Sequence, residues 1–149
     1  MIQLYEYQRG DFLISTDKSK LQMDVIDDYL RNQSYWGGER PRELTEIGVQ
    51  NSLCYGMYDG QGAQVCFARL VTDYATFAWL CDVFILPSHQ GSGLGKWLVK
   101  TIYLHPAIKD IHISILATRD AHELYHRYAG FTKQSNPEKW LERIIDQRQ

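Results

Sequence analysis

The chain has 149 residues, a length that fits one domain able to bury its own hydrophobic core, and we expect a single domain over residues 1–149. Its formal net charge of -2 at pH 7 offers no basic field for a nucleic-acid backbone, so we expect no nucleic-acid partner. No apolar stretch approaches the roughly 20 residues of a membrane span. We therefore expect the protein to bind no membrane. The three scattered cysteines favour reduced thiols in a cytoplasmic protein.

Weak alternation of apolar and polar residues near the start of the chain predicts one interrupted strand over residues 2–8 and 12–16. A helix is predicted to follow it. Ser19 and Gln22 have the spacing of a capping box, and apolar residues then recur at helical spacing until the glycine pair at 37–38.

A second short helix is predicted after an aromatic loop. Pro41 suits the first turn of this helix, which should end near Asn51. The loop between the two helices contains Tyr35, Trp36 and Arg40.

From residue 53 the hydrophobic period changes to that of strands. Residues 53–58, 63–71 and 77–86 are predicted as three strands, with connections short enough for hairpins. The third is almost continuously apolar, as expected of a central strand covered on both faces. Asp82 is the charged residue in this strand. Because an unpaired buried charge is costly, its carboxylate needs either a hydrogen-bonding partner or a role in catalysis.

A glycine-rich turn, Gln90-Gly91-Ser92-Gly93-Leu94-Gly95-Lys96, follows this strand and opens into a helix. Glycines let backbone N–H groups approach a phosphate, and a helix beginning near Gly93 adds unpaired donors and the positive end of its dipole. The spacing is not that of a P-loop, because Lys96 is followed by Trp97, nor that of a dinucleotide fingerprint, because the glycines run Gly-x-Gly-x-Gly. The turn is therefore predicted to bind an anion.

The remaining sequence predicts a strand, a helix, a further strand and a last charged helix. Pro106 ends the helix of the glycine turn, and the next strand covers residues 111–116. Asp120 is a candidate N-cap, and Gly130-Phe131 should return to a strand. The apolar positions of the last two helices are Ala121, Leu124, Tyr125, Tyr128, Trp140, Leu141 and Ile144.

The glycine turn has the form Gln-x-x-Gly-x-Gly after a strand that ends in proline, and Ala121-x-x-Leu124-Tyr125 leads to Gly130-Phe131. Together these motifs resemble the acetyl-CoA pyrophosphate loop and the following catalytic helix of the GNAT superfamily of N-acetyltransferases. The resemblance covers about residues 53–133. It implies an α/β (α+β) class, the GNAT acyl-CoA N-acyltransferase fold, in which helices flank a central, mostly antiparallel mixed sheet.

The resemblance also implies direct transfer of an acetyl group from acetyl-CoA to a primary amine of a small-molecule acceptor, without a metal or a covalent acyl-enzyme. A homodimer is common in the family. Backbone amides of Val83, Phe84 and Ile85 would pair with the pantetheine arm, and one would polarise the thioester carbonyl. The pyrophosphate would lie on Gln90, Gly91, Ser92, Gly93, Leu94, Gly95 and Lys96.

Two residues are candidates for proton transfer. In the family, a tyrosine at the position of Tyr125 protonates the departing thiolate; Tyr128 is the alternative here, because four residues rather than the usual three separate Tyr125 from Gly130. Asp82 is either the base or a structural hydrogen-bond acceptor, and deprotonation through water also stays open. In related polyamine enzymes the base lies one position earlier, which is Cys81 here. Regular alternation would point Asp82 to the opposite face, and a bulge would reverse this.

For the acceptor, the resemblance implies that the loop between the first two helices binds substrate. Tyr35, Trp36 and Arg40 are its candidates, and Arg40 is suited to bind a carboxylate.

Two other functions stay open on the sequence. His122-Glu123-x-x-His126 has the form of the zinc-protease helix, with Glu142 or Asp146 available as a third ligand. The other is a module that binds acetyl-CoA without turnover, because the base is undetermined and the spacing after Tyr125 departs from the family.

Overall fold

Strand order in the sheet follows strand order in the chain. The computed structural model describes residues 3–145, which contain six neighbouring strands. Each strand is antiparallel to the next except the last two, which run parallel. This mixed, mostly antiparallel sheet confirms the predicted fold class. The strands are β1 (Glu6–Arg9), β2 (Phe12–Ser15), β3 (Leu53–Tyr58), β4 (Gln64–Thr72), β5 (Phe77–Ile85) and β6 (Ile113–Leu116).

Helices cover both faces of the sheet. The first two pack against one face through Ile26, Leu30 and Val49, and the last two pack against the other through Leu98, Ile102 and Tyr125. Within the described residues, no helix is long and apolar enough to span a bilayer. The helices are α1 (Met23–Asn32), α2 (Arg42–Gln50), α3 (Leu94–Leu104) and α4 (His122–Ala129).

The first two strands form a hairpin, and the prediction of one interrupted strand is wrong. Glu6 of β1 pairs with Ser15 of β2. The chain reverses at Gly10, whose φ of +57° lies in the left-handed region that glycine adopts readily. Residue 2, where the predicted strand begins, lies outside the described residues.

The predicted capping box at Ser19 and Gln22 is also wrong. The Asp17 carboxylate accepts hydrogen bonds from the backbone N–H and the hydroxyl of Ser19, at 2.9 and 2.7 Å, and caps a short 3₁₀ turn, Lys18–Lys20. The side chain of Gln22 makes no capping bond. Its amide donates instead to the carbonyl of Gly62, at 2.7 Å, so Gln22 ties the start of α1 to the β3–β4 hairpin.

The elements between residues 41 and 129 lie close to their predicted positions. Pro41 is the N-cap of α2 rather than part of its first turn, and Asn51 is its C-cap. Helix α3 begins after Gly93 and ends before His105. The proline at position 106 is therefore outside the helix, as expected from its missing N–H.

The segment after α4 contradicts the sequence prediction. Gly130 and Phe131 begin no strand, because the Phe131 ring turns inward and packs edge-on against Tyr103, with ring centroids 5.2 Å apart. Residues 140–145 form no helix and follow a short 3₁₀ turn at Pro137–Lys139. The apolar side chains of this segment are exposed rather than aligned on a buried stripe: Trp140, Leu141 and Ile144.

Packing of α3 on the sheet yields a stability prediction. Leu98 is 0% exposed, whereas Leu104 on the same helix is 74% exposed. Leu98→Ala should lower the free energy of unfolding by about 2–5 kcal/mol, because it removes buried methyl groups and leaves a cavity. The melting temperature should fall by roughly 5–15 °C in calorimetry. Leu104→Ala is the matched control and should change little; equal losses in both variants would contradict this packing.

Candidate functional site

Strand β5 extends beyond the end of its neighbour β6. The parallel pairing runs from Phe77 opposite Ile113 to Leu80 opposite Leu116 and then stops, while β5 continues to Ile85. The last five residues of β5 therefore have a partner strand, β4, on one side only. A cavity of about 770 Å³ lies beside this open edge.

Three parts of the chain enclose the cavity. They are the end of α1 with the loop after it, the second half of β5, and the connection from β6 into α4. The lining residues are Tyr29, Gln33, Ser34, Tyr35, Trp36, Arg40, Arg69, Trp79, Leu80, Cys81, Asp82, Val83, Phe84, Ile85, Gln90, Leu116, Ala117, Thr118, Arg119, Asp120, Ala121, Leu124 and Tyr125.

Backbone hydrogen-bonding groups of β5 face the cavity. Leu86 N–H donates to the Val65 carbonyl at 2.9 Å, toward β4. Because hydrogen-bonded and non-bonded pairs alternate in an antiparallel ladder, Phe84 also bonds toward β4, whereas Ile85 and Val83 direct their N–H groups to the open edge. Of the three residues predicted to offer backbone amides, two are thus oriented for it and Phe84 is not.

The glycine turn continues this edge. Gly91 and Gly93 have φ of +84° and +83°, and no heavy atom lies within 4 Å of where their Cβ atoms would be, so the backbone is open to a ligand. Gly93 is the N-cap of α3, and the first N–H groups of a helix have no partner within it. Gln90 braces the turn, because its amide donates to the Ile85 carbonyl at 2.9 Å.

The other residues predicted to bind the pyrophosphate also make contacts within the protein. The Ser92 hydroxyl donates to the His89 carbonyl at 3.0 Å. Leu94 is buried, and a Cβ on Gly95 would lie 3.0 Å from the Ile85 δ-methyl, so α3 starts close against β5. Lys96 places its ammonium 5.5 Å from the centre of the Tyr128 ring.

Tyr125 lines the cavity and Tyr128 does not. The Tyr125 side chain is buried, and burial together with the nearby Tyr35 raises its pKa to about 12. Helix α4 accommodates the additional residue before Gly130 by continuing to Ala129. The turn closes when the N–H groups of Gly130 and Phe131 donate to the carbonyls of His126 and Tyr125. Tyr125 therefore keeps its phenol at the cavity wall.

A bulge in β5 places Asp82 at the cavity. Arg69 pairs with Cys81 and Phe67 with Phe84, so Asp82 and Val83 together oppose one residue of β4. Asp82 has φ of +52°, a left-handed value that aspartate tolerates better than most residues. The extra residue reverses the side-chain alternation along the strand, as the bulge hypothesis requires.

The Asp82 carboxylate is buried and accepts four hydrogen bonds. Its side chain is 1% exposed. Arg40 donates through both terminal nitrogens, at 2.8 and 3.0 Å, Arg69 Nε at 3.0 Å and Trp36 Nε1 at 3.0 Å. Burial raises the pKa of Asp82, but the two guanidinium groups outweigh burial and hold it below its ordinary value. Asp82 is therefore ionised at neutral pH.

This arrangement bears on the roles predicted for Asp82 and Arg40. All four lone-pair sites of the Asp82 carboxylate are filled by donors, as its alternative as a structural acceptor requires, and none is left to take a proton from an amine. Arg40 does bind a carboxylate, but it is that of Asp82 rather than one on a substrate. The physical cause of both is the same: a buried charge must be compensated.

The aromatic loop crosses the mouth of the cavity. The Tyr35 hydroxyl accepts the backbone N–H of Arg119 at 2.9 Å, and the Arg119 guanidinium carbon lies 4.0 Å from the centre of the Tyr35 ring. The two residues come from opposite walls. Asp120 is not the N-cap of α4, contrary to expectation: Ala121 occupies that position, and the Asp120 carboxylate contacts Arg119 at 3.2 Å.

A family model described as an acetyltransferase (GNAT) domain matches residues 50–133, more than half of the chain. The chain belongs to the GNAT family. A GNAT protein of known structure from Xanthomonas campestris pv. campestris, described as a candidate acetyltransferase, is 39% identical, with a TM-score of 0.84 over 97% of this chain and 95% of that chain.

Two further relatives of this GNAT chain extend the comparison. A candidate acetyltransferase of Gibberella zeae is 35% identical, in a match that covers 64% of this chain and 64% of that protein's length. Spermidine N-acetyltransferase of Vibrio cholerae, solved with CoA and spermine, is 20% identical, with a TM-score of 0.58 over 85% of this chain and 79% of that chain. The second likeness is one of fold alone.

Sequence reasoning missed two arginines of this GNAT site. Arg69 carries a signal that could have found it, because it is a charged residue within the buried strand β4 and lies beside Cys81 in the register. Arg119 carries no such signal. Its contact with Tyr35 joins residues 84 positions apart in a loop without periodicity.

The zinc motif gains no support from the geometry. His126 Nδ1 lies 2.8 Å from the Phe131 carbonyl oxygen, so this ring nitrogen has a backbone partner and only Nε2 is left for another one. Among residues 3–145, no three His, Cys, Asp or Glu side chains are grouped to hold a metal ion. Asp146 lies outside the described residues.

Asp82→Asn tests the ion-pair cluster. The change leaves two guanidinium groups facing a neutral amide, so the free energy of unfolding at pH 7 should fall by about 3–5 kcal/mol in denaturant titrations. Asp82 has a lowered pKa in the folded state, so its contribution is complete above its unfolded pKa near 3.9 and is lost as pH falls through the folded value. The difference from wild type should thus be equal at pH 6 and 8 and shrink below about pH 4.

Asp120→Asn is the matched control for this prediction. Its carboxylate is 64% exposed and contacts one arginine, so the variant should change stability little. If Asp82→Asn were equally harmless, the four hydrogen bonds would contribute no net stability.

Proposed function

We propose that the protein transfers an acetyl group from acetyl-CoA directly to a primary amine. One observation carries the proposal: the open edge of β5 links the glycine turn to the cavity wall at Tyr125. The proposed site therefore runs from the glycine turn along the N–H groups of Val83 and Ile85 to the buried phenol of Tyr125. Family membership supports the same activity.

The residues present fit acetyl-CoA as the donor. The turn from Gln90 to Lys96 would hold the pyrophosphate through the N–H groups of the first turn of α3. Val83 and Ile85 would pair with the pantetheine arm, since their N–H groups face the open edge. When bound, acetyl-CoA supplies a thioester carbonyl that an amine can attack.

Tyr125 would donate a hydrogen bond to the sulfur that leaves. Its pKa of about 12 keeps the phenol protonated at every working pH. A thiol has an ordinary pKa near 8.5, so the phenol holds its proton more tightly than the sulfur does. Tyr125 therefore keeps its proton and stabilises the thiolate as a hydrogen-bond donor. Overall, the amine nitrogen loses one proton to water and the sulfur takes one proton from water.

No buried side chain is needed to take the amine proton. Asp82 is occupied by its ion pairs, and burial raises the pKa of the Cys81 thiol to about 12. We assign the deprotonation to water that enters the open mouth of the cavity. The part of the chain that holds the acceptor would be the loop with Tyr35 and Trp36.

The cellular setting and assembly belong to this proposal. Cys54, Cys66 and Cys81 are free thiols, as in proteins of the reducing cytoplasm. A homodimer would cover the exposed apolar side chains of the segment after α4, such as Leu141, which is 96% exposed.

Acetyl-CoA binding is the first test. At about 100 times its dissociation constant, the ligand should add about 2.7 kcal/mol to the free energy of unfolding and raise the melting temperature by roughly 5–10 °C. Gly91→Ala should weaken the affinity at least tenfold in calorimetry, because a Cβ at φ of +84° distorts the cradle.

Gly62→Ala is the matched control for backbone strain. Gly62 has φ of +83°, an equally open surrounding and a position in the β3–β4 hairpin away from the turn. Both variants should lose similar stability, and only Gly91→Ala should lose affinity. Equal affinities would mean that the glycine turn does not bind the donor.

Tyr125→Phe separates an enzyme from a module that only binds acetyl-CoA. The variant should lower kcat by about 10²–10³-fold, the effect of losing one hydrogen-bond donor to the developing charge, while the dissociation constant of acetyl-CoA stays within about threefold. Tyr128→Phe is the control and should keep its kcat. Full turnover by Tyr125→Phe would remove the phenol from the mechanism.

A further inference from the structure

The side chains that line the cavity carry a net positive charge. Among the described residues, the ionised side chains that line it at neutral pH are three arginines and two aspartates. They are Arg40, Arg69, Arg119, Asp82 and Asp120.

Both carboxylates already have cationic partners. Asp82 is held by Arg40 and Arg69, and Asp120 contacts Arg119 at 3.2 Å. A polyamine needs a carboxylate for each ammonium group that does not react, because a cation brought beside arginines is repelled. The Asp82 carboxylate has no lone pair left for an ammonium group, and an ammonium group at Asp120 would also lie beside the Arg119 guanidinium.

Arg119 has guanidinium N–H donors that are accessible to a ligand. Its side chain is 64% exposed, and its one carboxylate contact uses a single nitrogen. A guanidinium has five N–H donors in a planar fork that matches a carboxylate. Stacking at 4.0 Å on Tyr35 fixes the plane of the group while leaving its edge free for a ligand.

Aromatic side chains provide the rest of the wall. Tyr35, Trp36 and Trp79 line the cavity and are 50%, 40% and 42% exposed. Partly exposed rings of this kind offer flat apolar surface to a ligand, while a small number of polar groups set its orientation.

We propose that the acceptor is a primary amine that also carries an anionic group and an aromatic or apolar body, and that Arg119 binds the anion. This inference rests on the proposed acetyl transfer. Polyamines are poor acceptors for this wall. The excess of positive charge also favours the neutral, nucleophilic form of a bound amine, which agrees with a site that has no dedicated base.

Three amines test the acceptor class after acetyl-CoA binding has been established. Phenylalanine and 2-phenylethylamine differ only in the carboxylate, and spermidine represents the polyamines. With acetyl-CoA and thiol release as readout, kcat/KM should be at least tenfold higher for phenylalanine than for either other amine. In parallel, phenylalanine should raise the melting temperature of the CoA-saturated protein more than the other two.

Substitutions at Arg119 test the residue itself. Arg119→Gln should lower kcat/KM for phenylalanine about 10–100-fold, the size of one lost charge-assisted bond, and that for 2-phenylethylamine less than twofold. Arg119→Lys should recover part of the loss. Arg31→Gln on α1 is the matched control, because Arg31 pairs with Asp27 outside the cavity and should affect neither amine.

The outcomes separate this inference from the proposed function. If acetyl-CoA does not bind, the acetyl-transfer proposal itself fails. If it binds and spermidine is preferred, or Arg119→Gln slows both aromatic amines equally, only the acceptor assignment is overturned. Absence of both turnover and thermal stabilisation with phenylalanine overturns it as well.

Discussion

Charge compensation of one buried carboxylate organises this molecule. Asp82 lies in strand β5 and is neutralised by Arg69 from the neighbouring strand and by Arg40 from the loop after α1. The same carboxylate accepts the indole N–H of Trp36. Because an unpaired buried charge is costly, the Asp82 carboxylate on β5 holds the loop against the sheet through Arg40 and Trp36. The acceptor side of the cavity is thereby built on a rigid base.

The bulge at Asp82 links this charge cluster to the donor side. One extra residue on β5 turns the carboxylate toward the loop while Val83 and Ile85 pack against the other core and direct their N–H groups to the open edge. A regular strand would not allow both. Charge, side-chain direction and backbone direction are therefore set by the same local irregularity, and this is why the donor and acceptor parts of the site meet.

Sequence reasoning succeeded where local patterns decide the structure and failed where distant contacts do. Strand β3 and the helix after the glycine turn follow from hydrophobic period and from glycine at Gly93, both of which are local. The strand expected at Gly130-Phe131 does not form, because Phe131 packs against Tyr103, a contact that no local pattern shows. The pairing of Asp82 with Arg40 and Trp36 was likewise out of reach, since these residues lie 42 and 46 positions away in the chain.

The open edge of β5 has a consequence for the order of events. Backbone N–H groups cannot be left without partners, so those of Val83 and Ile85 must be hydrated whenever no other group lies along them. A pantetheine arm would displace that water and complete the sheet in the place of a missing strand. This edge of the sheet would then be most rigid with the donor bound. The acceptor would therefore bind to a complete cavity wall only after the donor has bound.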